Sequence, residues 1–179
     1  DTVTTCYAAG AAFAMSQKIS ALSLGDAALK KIGIRKGLPE TEDQALVYLF
    51  MASSSLSGDD YEKLLDDFIR QFPANADGYL RRANYYAAKG KDDQTWYDKA
   101  VADFNQALKV AQKKDDVYYN IGKLMYAYQL SKPEKTYKDW TYDTALQNVR
   151  QAIAIDPLPI YIQMEGDILF AQQDYAGAL

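Results

Sequence analysis

YLRRANYYAAKGKDDQTWYDKAVADFNQA, residues 79–107, is the stretch whose reading decides the fold. Its first half places Tyr79, Ala83 and Tyr86 at i, i+4 and i+7, large, small and large along one helical stripe. Its second half repeats the device with Ala100, Phe104 and Ala107. Each helix therefore offers a small residue where an aromatic of the other must fit. Two helices that interlock in this way form an antiparallel hairpin.

One hairpin cannot bury both of its faces, so the pattern should recur at a fixed period. Pro39 and Pro73 stand 34 residues apart, the spacing of a two-helix repeat. Pro157 follows Pro73 by 84 residues, which is two such periods and 16 residues more. These units resemble the tetratricopeptide repeat (TPR), whose signature is aromatic, small and aromatic on the first helix, then Ala, a large residue, Ala and a closing Pro on the second. Tyr79, Ala83, Tyr86, Ala100, Phe104 and Ala107 match it. So do Tyr118, Ile121, Gly122, Ala145, Val149, Ala152 and Pro157, and then Ile162, Gly166, Leu169, Tyr175 and Ala178. The resemblance covers Pro39 to the end and implies an all-α fold, a right-handed α-solenoid of antiparallel helix hairpins with about four to five repeats.

Repeats are expected over 39–72, 73–112, 113–157 and 158–179. The first has helices at about 42–55 and 60–71, with Ala45, Leu49 and Ala52 on one stripe and Tyr61, Leu65 and Phe68 on the other. In the second the turn falls at Gly90-Lys91, five residues from Asp92 to Trp96 are inserted, and the second helix begins at Tyr97. In the third the turn falls near Gln129-Leu130, and Ser131 to Thr141 adds eleven. Each insertion closes on a Trp followed by Tyr and Asp, so Trp96 and Trp140 should share one edge. They either seal their own loops or form a binding edge. The last repeat has a first helix to about Gln172 and stops one turn into a second, as expected of a fragment of a longer polypeptide. Its open end could support self-association.

Residues 1–38 leave room for a degenerate helix pair, at about 2–22 and 27–36, with Asp26 capping the second and Gly37 past its end. The stretch from Thr2 to Gln17 is uncharged but shorter than the roughly 20 apolar residues of a membrane span. No basic region precedes it, as a signal peptide would need. Val3-Thr4-Thr5 before Cys6 does not fit a lipoprotein cleavage box, and Cys6 reads as a small buried hydrophobe.

Hydrophobic residues make up 49% and charged residues 25%, ordinary for a globular chain. The net charge of −4 and scattered basic residues give no footprint for nucleic acid. With no His and only Cys6, His-based acid–base chemistry, Cys/His metal sites and intrachain disulfides are all excluded. Asp66-Asp67, Asp92-Asp93 and Asp115-Asp116 are adjacent pairs, which on a helix do not face a common point, so they read as solvated ends or loops. No catalytic residue, cofactor or metal is expected.

The TPR resemblance implies a concave groove lined by first helices. The residues one step round from the core stripe are Leu46, Phe50 and Ser53, then Leu80, Asn84 and Ala87, then Tyr119, Lys123 and Tyr126, and last Gln163, Asp167 and Phe170. Leu46, Phe50 and Phe170 have packing against neighbouring helices as the alternative. Such a surface suits a protein or peptide ligand whose side chains fill pockets while Asn84 and Gln163 hold its backbone. Asn84 and Asn120 also match slots of the carboxylate-clamp TPR group, with Arg81 nearby, but Leu80 stands where the leading clamp Lys belongs. The expected function is a non-catalytic adaptor. The alternative is a TPR module of a larger exported protein that binds glycan through Tyr-rich loops, or presents a catalytic domain outside this stretch. The Tyr-, Lys- and Asp-rich character resembles TPR chains exported by Bacteroidetes-type bacteria, which places the expectation in a periplasm or cell envelope.

Overall fold

The computed structural model of the chain describes residues 38, 40–54, 56, 58–90, 93–135 and 137–172. The expected helix pair ahead of Leu38, with Cys6, Asp26 and Gly37, lies outside these residues, as do Pro39, Asp92, Tyr175 and Ala178. The described residues form seven helices and no strand. They are α1 Glu42–Ala52, α2 Gly58–Gln71, α3 Ala76–Lys89, α4 Gln94–Val110, α5 Asp115–Ser131, α6 Tyr142–Ile155 and α7 Pro159–Ala171. The chain divides into two compact units, Asp1–Arg82 and Ala83–Leu179, so α3 runs from one into the other.

In the first unit, α1 and α2 pack as a pair across a five-residue connection, 53–57. Ala45, Leu49 and Ala52 are wholly buried, as are Leu65 and Phe68 opposite them. Glu42 and Asp43 on α1, and Asp59 and Asp60 on α2, put negative charge at the helix N-termini where the backbone dipole favours it. Asn75 starts α3 by accepting from the Asp77 and Gly78 amides at 2.8 and 3.3 Å, while its own amide donates to Glu42. α3 then comes so close to α2 that a methyl group on Gly78 would lie 2.7 Å from the Phe68 ring.

In the second unit, α4 packs on α5, α5 along α6, and α6 on α7. Ala100, Phe104 and Ala107 are buried on α4, and Ala145, Val149 and Ala152 on α6. α4 begins at Gln94, a turn ahead of the expected Tyr97. The reason is local: Asp93 accepts from the Thr95 amide at 2.9 Å and from its hydroxyl at 2.7 Å, so Gln94 to Trp96 form the first helical turn rather than a loop. α5 likewise runs on to Ser131, past the expected turn at Gln129-Leu130. Thr141 and Thr144 form a reciprocal capping box that opens α6.

The buried stripes of α5 and α7 are rotated from expectation. On α5 the buried residues include Val117, Gly122, Met125 and Tyr128, whereas Tyr118 and Ile121 are only half-buried. On α7 Tyr161, Ile168 and Leu169 are buried, and Ile162, expected in the core, is 50% exposed. A single residue step turns a helix by about 100°, enough to exchange Ile162 for Tyr161 when both side chains are large.

Candidate functional site

The expected groove residues separate into buried and accessible sets. In the first unit Leu80 is buried, so it is a core residue and offers no groove surface. Leu46 and Phe50 are half-buried and Ser53 is exposed, its hydroxyl donating to the Phe50 carbonyl at 2.7 Å. Arg81 bears on the Tyr61 hydroxyl, opposing the rise that burial imposes on that group.

The second unit brings most of the set together. Asn84 and Lys123 are exposed, and Ala87, Asn120 and Tyr126 are half-buried. The Asn84 amide donates to Asn120 Oδ1 at 3.1 Å, and the Asn120 amide donates to the Asp116 carbonyl at 2.8 Å, so one amide of the pair is fixed to the α5 backbone. Tyr126 donates to the Asp167 carbonyl of α7 at 3.4 Å. Gln163, Asp167 and Phe170 all face solvent, and Phe170 is 63% exposed. Tyr119 differs from these: it is buried and stacks on Tyr161 with ring centroids 4.8 Å apart. It supports the face from beneath and presents little of itself.

A network that the sequence did not signal sets how α7 lies on α5. Tyr161 donates to buried Asp115 at 3.2 Å. Lys113 lies 3.5 Å from the same carboxylate and also pairs with Asp156, just past α6. Burial, and then the nearby Asp116 and Asp115 carboxylates, hold the Tyr161 hydroxyl well above its ordinary range. Burial also raises Tyr119 and Tyr126, helped by Asp116 and Asp167 for the first, and by Asp167 and Tyr142 for the second. The Tyr161 and Tyr126 hydroxyls therefore stay protonated and donate throughout the neutral range. Asp115, expected with Asp116 at a solvated helix end, is instead buried, because adjacency in the chain does not reveal a partner 46 residues away.

The two tryptophans occupy different settings. Trp96 is half-buried, 5.6 Å from the Tyr86 ring, with Lys89 and Lys99 ammonium groups 4.6 and 4.3 Å from its centroid. Trp140 is buried in a cluster with Tyr97, Tyr128 and Tyr137, at centroid distances of 5.6, 5.4 and 4.6 Å. Gln129 donates to its carbonyl at 2.7 Å, and Tyr137 donates to Asp98 at 2.6 Å, so Tyr137 to Trp140 fold back as a plug on the core.

Among the described residues no three His, Cys, Asp or Glu side chains gather into a metal-binding group, and no helix is long and apolar enough to cross a membrane.

Hairpins of paired helices, small residues set against aromatics and an all-helical chain together define a TPR-like fold. A solved structure bears this out: a thermophilic TPR protein of Thermus thermophilus matches with a TM-score of 0.74 at 14% identity, covering 99% of this chain and 86% of that one. No protein-family model and no curated protein matches the sequence.

Proposed function

We propose that the chain is a non-catalytic adaptor that docks an extended or helical peptide of a partner protein on the face formed by α5 and α7 in its second unit. One observation carries this reading: polar side chains with unused bonding capacity stand beside an exposed aromatic on that face. Among the described residues Lys123 makes no ion pair, the Asp167 carboxylate and the Gln163 amide make no hydrogen bond, and Phe170 lies in the same row as Gln163 and Asp167. Lys123 and Asp167 supply one charge of each sign, Gln163 supplies an amide for a peptide backbone together with Asn84, which reaches α5 from α3, and Phe170 supplies an apolar anchor. Tyr126, tied to α7, and Tyr119 beneath keep these groups in fixed relation, which lowers the ordering cost of binding.

The test is selection from a random displayed-peptide library, followed by titration of the selected peptides against Lys123→Glu and Phe170→Ser. Both positions are exposed, so the helical content should be unchanged. Each substitution should weaken binding about tenfold, as loss of one anchor does. A selected peptide that binds both variants as tightly as the parent, or a selection that enriches nothing, removes this face as the docking site.

A further inference from the structure

A second concavity in the same unit lies away from the α5–α7 face, between α4, α5 and residues 138–140. It opens to solvent and holds about 130 Å3, and its wall is made by Val101, Phe104, Ile121, Leu124, Met125 and Trp140. That volume is close to the roughly 150 Å3 of an apolar cavity that stays dry and takes up benzene. A single ring fits, and the wall provides nothing to solvate a charge, so any charged part of an occupant must remain at the rim. The wall is held in advance, because Trp140 is locked edge-on against Tyr97, Tyr128 and Tyr137.

The rim decides the chemistry. Asn105, Lys138 and Asp139 complete the lining. Lys138 is already paired with Asp98 at 2.7 Å, and the hydrogen bond to Asp98 raises the affinity of that ammonium for its proton. Among the described residues the Asp139 carboxylate makes no ion pair or side-chain hydrogen bond, and the Asn105 amide has no partner. The uncompensated charge at the opening is therefore negative. We propose that this pocket binds a small arylalkylamine, one apolar ring seated against Trp140 with its ammonium group on Asp139 and Asn105.

The experiment titrates phenethylammonium into the full chain carrying Trp96→Phe, so that Trp140 is the sole indole reporter, with a thermal melt as an independent reading. Toluene supplies the ring without charge, and 3-phenylpropionate the ring with the opposite charge. The expected result is a saturable change in Trp140 emission and a raised melting temperature, with phenethylammonium binding more tightly than phenylpropionate. Asp139→Asn should weaken phenethylammonium about two- to fivefold, the range of an exposed ion pair, while leaving toluene unchanged. Val101→Phe, which fills the pocket, should abolish all three. No saturable response, equal affinity for the two charged ligands, or an Asp139→Asn variant that binds phenethylammonium unchanged overturns the proposal. Because Asp139 is exposed, that last variant remains informative even if Val101→Phe does not fold.

Discussion

Gly122 on α5 and Val149 on α6 approach so closely that a methyl group added to Gly122 would stand 2.7 Å from Val149 Cγ2. The same methyl would meet the Ala145 carbonyl oxygen at 2.8 Å. A side chain could rotate aside, but the backbone of α6 cannot. Gly122→Ala gains helix propensity of about 1 kcal/mol over Gly, yet overpacking costs about 1 to 3 kcal/mol, so the net change should be destabilising. Chemical denaturation checks this. An unchanged or raised midpoint would mean that α5 and α6 do not cross at this point.

Ala83 is wholly buried on α3, in the small slot between Tyr79 and Tyr86. Ala83→Leu should cost on the order of 1 to 3 kcal/mol through the same overfilling. A melting temperature equal to the parent's would show that this stripe is not the packed one.

Trp140 and Trp96 should respond differently to truncation. Trp140→Ala removes the centre of a ring cluster and should cost about 3 to 5 kcal/mol. Trp96→Ala removes a half-buried ring and its contacts with half-buried Lys89 and exposed Lys99, so its cost should be clearly smaller. Equal losses in urea denaturation would contradict the packing described for Tyr137 and Trp140.

Alkaline pH should loosen the second unit. Tyr161, Tyr119 and Tyr126 all hold their protons above the ordinary 10.0 in the folded chain. Between pH 10 and their raised values the unfolded chain carries fewer protons than the folded one, so stability falls as pH rises. Below pH 10 their contribution is fully present. Tyr161→Phe should flatten this alkaline slope and lower stability at neutral pH by about 1 kcal/mol through the lost bond to Asp115. A parent chain whose stability is flat from pH 9 to 11 would refute the assignment.

The hairpins were legible in the sequence because their contacts are near in the chain and repeat. Ala45, Leu49 and Ala52, or Ala100, Phe104 and Ala107, announce a buried stripe by size and spacing alone, and the structure buries all six. Where two large residues adjoin, as at Tyr161-Ile162, spacing cannot say which turns inward, and here Tyr161 does, leaving Ile162 exposed. Leu80 and Tyr119 illustrate the same limit for the groove: both stand one step from the core stripe, yet both are buried. The start of α4 depended on a hydrogen bond from Thr95 to Asp93, which a count of inserted residues does not see. The network of Lys113, Asp115 and Tyr161 joins two near neighbours to a residue 46 positions beyond Asp115, a separation that is no repeat of the hairpin period, so the spacing of the pattern did not point to it.

Lengthening a connection between two helices ordinarily weakens a domain slightly, because a longer tether has more freedom to lose. The connection from α5 to α6 reverses that expectation, since its Tyr137 and Trp140 become part of the interior. Trimming this segment to the length of an ordinary repeat would open a void beneath Tyr97 and Tyr128, so the shorter protein should be the weaker one.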